Sequence, residues 1–140
     1  MRAYYLDSSV LMRFLLSDTG AMNCSNMGVL VSSEVLRVEC FRALDRIHRQ
    51  RQRTSEQILL ARTSFYQMIS NINFVQLGKP VLELASQSFD MPIKTLDAIH
   101  LSTALLYGEE FGTPLVMLTH DLQLGRAARS QNLEVLGCIV

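Results

Sequence analysis

Short apolar segments alternate with longer segments of helical periodicity along the whole sequence, and this pattern limits the folds open to the chain. Five short runs have the apolar character of buried strands, at residues 3–6, 29–31, 73–77, 115–118 and 133–136. Apolar residues recur at helical spacing between them, which predicts helices over residues 10–16, 33–52, 54–70, 80–89, 96–107 and 121–130. Strands and helices in this alternation predict an α/β domain, with a central and mostly parallel sheet flanked by helices.

Size and composition fit one domain over residues 1–140. The chain has 140 residues, a usual domain size, and its 49% of hydrophobic residues can build a core, which excludes wholesale disorder. No apolar run approaches the about 20 residues that cross a bilayer, so we expect no membrane segment. Three cysteines without a Cys-x-x-Cys pair argue against a disulfide framework and for a reducing compartment. We therefore expect a cytoplasmic protein.

Four acidic residues lie at or near the predicted strand ends. Asp7 directly follows the first strand, and Asp121 comes shortly after the fourth. Asp97 lies in the first turn of a predicted helix, and Glu39 lies in the helix that follows the second strand. Because the functional crevice of such a sheet lies outside the carboxyl ends of its strands, we expect these four carboxylates to converge there.

Converging carboxylates need a positive charge or protons to offset their repulsion. Two carboxylates about 5 Å apart repel by about 3 kcal/mol at an effective dielectric constant near 20. Protonation of one or two acids, or a divalent cation, removes most of this repulsion. A site made only of oxygen ligands selects Mg²⁺ or Mn²⁺ over zinc. Since such an ion acidifies bound water and stabilises charge on a phosphate, the pattern indicates metal-dependent phosphodiester hydrolysis.

Each acid alone also has a structural explanation. Asp7 and Asp121 stand where a helix N-cap is expected, and Asp97 in a first helical turn is favoured by the helix dipole. Glu39 is the most informative of the four, because it borders the apolar face of its helix. The set of four, and no single member, therefore predicts a site.

Four segments carry a resemblance to a known family. They read YYLDSSVLMRFLL (4–16), LVSSEVLRVECFRAL (30–44), LDAIHLSTALLYG (96–108) and LVMLTHDLQLGRAARSQNLEVL (115–136). In this order, and over nearly the whole chain, they resemble a PIN domain, in particular the VapC-type ribonuclease toxins of prokaryotic toxin–antitoxin pairs. Residues 17–28 depart from the family, since they are shorter and more polar than the helical region common there.

The resemblance implies an endoribonuclease that depends on Mg²⁺ or Mn²⁺. Asp7, Glu39, Asp97 and Asp121 match the acidic quartet that binds the ion. Glu34 lies close to Glu39, but the local pattern R-V-E-C-F-R-A-L favours Glu39, and Glu34 stands in the cap region of the helix.

The resemblance further implies supporting groups and partners. Ser8, Ser9 and Thr119 match positions whose hydroxyls help to order the site, and the two serines could also cap the first helix. The implied partners are an RNA substrate and a cognate antitoxin whose C-terminal segment covers the crevice. A homodimer of the toxin is also implied.

Basic and histidine residues outside the quartet have two interpretations each. An arginine cluster could track an RNA backbone or contact the antitoxin, with Arg42, Arg46 and Arg49 as candidates, or it could be a solvated helix end. We interpret His100 as a packed histidine rather than a metal ligand, and His120 as a candidate substrate contact.

Two other classes of function compete with the nuclease. One is a non-catalytic PIN-like module that binds RNA or protein, and the intact quartet argues against it. The other is phosphotransfer through an aspartate, as in receiver domains or dehalogenase-like phosphatases. Those classes need a second acid close to the first, whereas this chain has Asp7-Ser8-Ser9.

Overall fold

A five-stranded sheet forms the centre of the molecule in a computed structural model that describes residues 2–140. Its strands are β1 (Ala3–Leu6), β2 (Val29–Ser33), β3 (Ile72–Val75), β4 (Val116–Leu118) and β5 (Glu134–Leu136). They lie in the order β3-β2-β1-β4-β5, and every neighbouring pair is parallel. The predicted α/β fold is confirmed, with a sheet that is wholly rather than mostly parallel.

Helices connect the strands. They are α1 (Ser8–Leu15), α2 (Val35–Arg49), α3 (Ser55–Met68), α4 (Lys79–Ala85), α5 (Thr95–Phe111) and α6 (Leu122–Ser130). Single 3₁₀ turns occur at Cys24–Asn26, within the polar stretch 17–28, and at Ile69–Asn71. Within residues 2–140, none of the helices combines the length and the apolar character that crossing a membrane would require.

Side chains of successive strand residues point to opposite faces of the sheet and enter two separate cores. Leu6 packs into the core that α1, α2 and α3 cover, together with Leu11, Leu36, Leu44 and Phe65. Its neighbour Tyr5 packs into the core that α5 and α6 cover, together with Leu101, Met117, Leu124 and Ala127. The sheet is therefore sandwiched between two helical layers.

The central strand β1 brings the ends of three strands together. It pairs with β2 on one side and with β4 on the other, and Leu6 lies opposite Leu118. The N–H of Asp7 then donates to the carbonyl of Leu118 at 3.0 Å. Asp7 and Thr119, the residues that follow β1 and β4, therefore start from the same edge of the sheet.

The helix that follows β2 is shorter than the predicted range 33–52. Ser33 still pairs with Val75 in the sheet, so α2 begins only at Val35. At the other end Arg51 adopts a positive φ of 55°, which an α-helix cannot contain, and α2 ends at Arg49.

The predicted end of α5 near Gly108 is wrong. The helix continues to Phe111 and ends where Gly112 adopts a left-handed φ of 75°. Gly108 lies inside the helix, and a Cβ there would stand 2.9 Å from the carbonyl oxygen of Thr113. The glycine is required by this close approach of the chain and not by a helix end.

Other boundaries shift by a few residues. The third strand is Ile72–Val75 rather than 73–77, and α4 ends at Ala85 rather than 89, where the Ser86 hydroxyl donates to the Leu82 carbonyl at 2.8 Å. The last two strands lack the first residue of the predicted ranges 115–118 and 133–136. At α1 the N-cap is Asp7, so Ser8 and Ser9 lie within the helix and do not cap it.

Candidate functional site

A cavity of about 430 Å³ opens at the carboxyl edge of the sheet. All four acids singled out in the sequence border it, although they come from four separate segments. The full lining is Asp7, Ser8, Ser9, Glu39, Lys94, Thr95, Leu96, Asp97 and Asp121. The expected convergence of the carboxylates is therefore present in the fold.

Asp7 is the most deeply placed of the four acids, with 4% of its surface exposed. It occupies the N-cap position of α1, but its side chain caps no helix N–H. Instead its Oδ2 accepts the hydroxyl hydrogens of Ser9 at 2.6 Å and Thr119 at 2.8 Å. The simple capping explanation of Asp7 is therefore wrong, and its carboxylate is oriented by two hydroxyls.

The same two hydroxyls join β1 to the segment after β4. Thr119 Oγ1 also accepts the N–H of Asp121 at 3.0 Å, and Ser9 Oγ accepts the N–H of His120 at 2.9 Å. Ser9 and Thr119 thus connect Asp7 to the segment that carries Asp121, through hydrogen bonds that are buried or partly buried.

Asp121 both caps a helix and lines the cavity. Its Oδ1 accepts the N–H groups of Gln123 and Leu124, at 2.9 Å and 3.1 Å, at the start of α6. Because these bonds occupy only one oxygen, capping and a role in the cavity are compatible.

Glu39 reaches the cavity from the second turn of α2 and has a side chain that is 15% exposed. Its Oε1 lies 2.5 Å from Nε2 of His100, and its Oε2 lies 3.5 Å from the hydroxyl of Ser8. His100 is fully buried, as expected of a packed histidine, but its ring also contacts a member of the quartet. The sequence offered one hint that His100 lies near the acids, which is its position three residues after Asp97 on the same helix.

Tyr5 is the other partner of His100, and sequence analysis did not identify it. Its hydroxyl lies 2.6 Å from Nδ1 of His100 and accepts the N–H of Ser33 at 3.1 Å. Burial raises the pKa of Tyr5 far above its ordinary value, so the hydroxyl keeps its hydrogen. Burial alone would lower the pKa of His100, but the hydrogen bond and charge of Glu39, with Asp7 and Asp97, raise it above its ordinary value.

Asp97 shows the electrostatic consequence of the convergence. Burial raises the pKa of its carboxyl to about 6, and the charges of Asp121, Asp7 and Glu39 contribute, whereas His100 opposes the shift. Three acids from distant segments therefore act on Asp97 in the direction expected of a site with excess negative charge.

The donor set fits a hard divalent cation. Carboxylate and hydroxyl oxygens are the ligands that Mg²⁺ and Mn²⁺ prefer. Within residues 2–140 no three side chains of Asp, Glu, His or Cys lie close enough together to ligate one ion directly. Mg²⁺ keeps several waters and commonly binds through one or two carboxylates, so it can bind here without three direct protein ligands.

A second groove, of about 410 Å³, adjoins the cavity and shares Ser8, Glu39 and Leu96 with it. Arg42 and Arg46 line this groove, which is otherwise formed by Val35, Val38 and Ala43. Arg49 lies outside both linings and, like Arg42, pairs with Asp45. Of the three candidate arginines, Arg42 and Arg46 therefore border the groove and Arg49 does not.

Three further residues complete the comparison with the sequence analysis, which expected Glu34 outside the site, named His120 as a candidate contact and did not consider Lys94. His120 does not line the cavity, and its Nδ1 donates to the carbonyl of Gly137 at 2.8 Å. Glu34 also lies outside it and accepts the N–H of Leu77 at 2.7 Å. Lys94, which sequence analysis passed over, contributes a cation to the cavity lining. Its place at the N-cap of α5, three residues before Asp97, was the available signal.

Comparison with known proteins agrees with this arrangement. The chain is 29% identical to Ribonuclease VapC46 of Mycobacterium tuberculosis (strain ATCC 25618 / H37Rv) over 140 residues, which covers 97% of this chain and 98% of the relative. The PIN domain family matches residues 4–130, a range that includes all four acids of the cavity. The chain therefore belongs to the PIN domain family.

Proposed function

We propose that this protein is an endoribonuclease that depends on Mg²⁺ or Mn²⁺ and is the toxin of a toxin–antitoxin pair. The observation that carries the proposal is the cavity bordered by Asp7, Glu39, Asp97 and Asp121 at the carboxyl edge of a PIN domain sheet. Similarity over nearly the full length to a protein named as a VapC ribonuclease supports RNA as the substrate.

The four carboxylates are proposed to hold the hydrated ion, directly or through its waters, and the neighbouring hydroxyls to orient them. Such an ion, when bound, lowers the pKa of a coordinated water and offsets charge on the scissile phosphate. Ser9 and Thr119 donate to Asp7, and Ser8 lies beside Glu39. Both bonds to Asp7 end on its Oδ2.

Cations around the cavity are proposed to hold the RNA. Lys94 lines the cavity itself, and Arg42 and Arg46 line the adjoining groove. Phosphate contacts from such residues position a strand without reading its bases. The apolar part of the groove, with Val35 and Val38, is proposed to receive the antitoxin when the toxin is held inactive.

Three reactions test the enzymatic part of the proposal. A structured RNA is incubated with the protein in Mn²⁺, with the protein in EDTA, and with the Asp7→Asn variant in Mn²⁺. Cleavage only in the first reaction is expected, and the Asp90→Asn variant, an exposed acid outside the cavity, should cleave like the wild type. Equal cleavage in all three reactions, or in none, would contradict the proposal. The second result would favour a non-catalytic module that binds RNA or protein.

The proposed antitoxin, homodimer and cellular location are tested by separate measurements. The cognate antitoxin is sought by co-purification with the product of the adjacent gene, and a stable complex that blocks cleavage is expected. The proposed homodimer and the cytoplasmic location are tested by light scattering of the purified chain and by cell fractionation.

A further inference from the structure

His100 lies beneath the acidic cavity, between the central strand β1 and the helix α2. Its Nδ1 is 2.6 Å from the hydroxyl of Tyr5, and its Nε2 is 2.5 Å from Oε1 of Glu39. Tyr5 and His100 are both fully buried, whereas Glu39 stands at the cavity with a side chain that is 15% exposed. The histidine thus links the core of the sheet to one carboxylate of the site.

Hydrogen-bond chemistry gives this link one direction. An ionised carboxylate can only accept, so Nε2 carries a hydrogen and donates it to Glu39. Nε2 carries this hydrogen in both the neutral and the protonated ring, and the Tyr5 oxygen, which lies beside Nδ1, accepts the N–H of Ser33 at 3.1 Å. The hydrogen bond between His100 and Glu39 therefore runs from the ring to the carboxylate in either state of the ring.

The link is rigid at the end that lies in the core. The rings of Tyr5 and His100 pack edge to face, with centroids 5.6 Å apart and an interplanar angle of 69°. Both rings lie among residues that are themselves fully buried, including Leu101 on α5. Neither ring can turn without opening space in the core, so the direction of Nε2–H is set by packing.

Glu39, in contrast, has little else to orient it. Among the hydrogen bonds of residues 2–140, its other donor is the Ser8 hydroxyl at 3.5 Å, the outer limit of such a bond. A glutamate has three side-chain torsions, and an unrestrained one occupies several rotamers. The preferred rotamer of Glu39 therefore depends on His100.

We propose that His100, supported by Tyr5, is a positioning residue that fixes Glu39 for ligation of the divalent ion. This inference rests on the proposed function of the cavity. His100 acts as a donor to a ligand and not as a ligand, which agrees with its complete burial. Outer partners of this kind change metal affinity or activity by about 10–100-fold when they are removed.

Mn²⁺ affinity, measured by titration calorimetry on folded variants, is the first test. His100→Leu removes the donor and is expected to weaken Mn²⁺ binding at least about tenfold. His100→Gln, which keeps an N–H donor, should retain part of the affinity, and Tyr5→Phe should lose part of it. The matched control is His48→Gln, because His48 is an exposed histidine of α2 that bonds Ser55 and does not line the cavity. Unchanged affinity in folded His100→Leu would overturn the inference, and if that variant does not fold, unchanged affinity in both Tyr5→Phe and His100→Gln would do so.

A double-mutant cycle separates positioning from a general effect on the fold. In the Glu39→Gln background, His100→Gln should cause no further loss of Mn²⁺ affinity, since the group that it positions has already changed. An equal loss in both backgrounds would overturn the inference.

A metal-free measurement keeps the inference separate from the proposed function. In ¹⁵N-labelled protein with EDTA, we expect Nε2 of His100 to carry a hydrogen whose resonance moves in Glu39→Gln and in Tyr5→Phe. A non-protonated Nε2, or a resonance that neither substitution moves, would overturn the inference. Failure of the wild type to bind Mn²⁺ at all would instead contradict the proposed function.

Discussion

Thr119 Oγ1 lies 2.8 Å from Oδ2 of Asp7, although 112 residues separate the two in sequence. The same hydroxyl accepts the N–H of Asp121 at 3.0 Å, so one fully buried threonine orients two of the four acids of the cavity. The parallel pairing of β1 with β4 makes this contact possible, because it places the residues after both strands at the same height.

Thr119→Val is expected to impair both stability and activity. Valine keeps the branched shape of threonine but leaves Asp7 with one hydroxyl donor, and loss of a buried hydrogen-bond partner costs about 1–3 kcal/mol. We also expect cleavage and Mn²⁺ affinity to fall at least about tenfold. Thermal unfolding and calorimetry measure the two effects. Thr119→Ser, which keeps the hydroxyl, should lie close to the wild type, and equal losses in the two variants would refute a role for the hydroxyl.

Asp97 should make the metal-free protein less stable as the pH rises. Its folded pKa is about 6, above the ordinary 3.8, so the folded chain keeps this proton over a range in which the unfolded chain has lost it. Stability contributed by Asp97 is therefore present below about pH 4 and is lost as the pH rises towards and through about 6. Asp97→Asn should show a smaller fall in melting temperature between pH 4 and pH 7.5 in EDTA.

The control for this pH dependence is Asp90→Asn, which alters an exposed acid away from the cavity. It should follow the wild-type curve. Identical pH dependence in Asp97→Asn and wild type would show that neither burial nor the neighbouring acids raise the pKa of Asp97.

Arg46 and Arg49 offer a matched pair for RNA binding. Both are exposed arginines of α2, but only Arg46 lines the groove beside the cavity, whereas Arg49 pairs with Asp45 at 3.0 Å. Arg46→Ala should raise KM for RNA, leave kcat nearly unchanged, and lower the slope of log KM against log salt by about 0.7 for one lost phosphate contact. Arg49→Ala should leave the slope unchanged. The proposed RNA path fails if the two variants behave alike.

Gly108→Ala tests the packing between α5 and the segment that follows it. The added Cβ would stand 2.9 Å from the Thr113 carbonyl oxygen and 3.3 Å from the Pro114 Cα, both backbone atoms. We expect a loss of about 1–3 kcal/mol in the free energy of unfolding, as for other overpacked sites. Gly78→Ala, whose Cβ would meet only Pro80 at 3.7 Å, is the control. Urea denaturation of both variants decides whether Gly108 is required by this contact.

Local sequence patterns were sufficient to predict the alternation of strands and helices along the chain. They were also sufficient to predict the edge of the sheet at which the acids meet. Asp7 and Asp121 could be placed because each follows a short apolar run, and carboxyl ends of parallel strands share one edge. Resemblance to the PIN family was needed to prefer Glu39 over Glu34. The structure agrees to the extent that Glu39 borders the cavity and Glu34 bonds Leu77 elsewhere.

Features that depend on three-dimensional contact could not be predicted. The bond between His100 and Glu39 joins residues 61 positions apart, and it depends on the rotation of α5 against α2. Gly108 resembles a helix end because glycine is common there, whereas its actual constraint is a backbone contact with Thr113. Lys94 was missed because a single lysine before a helix carries no periodic signal.

An anomalous difference map from crystals soaked in Mn²⁺ tests the central claim most directly. The account predicts one or more Mn²⁺ peaks inside the cavity bordered by Asp7, Glu39, Asp97 and Asp121, at ion concentrations that also support RNA cleavage. It further predicts that these peaks disappear in Asp7→Asn crystals. Cleavage-supporting Mn²⁺ that leaves this cavity empty, or that binds at another place on the molecule, would contradict it.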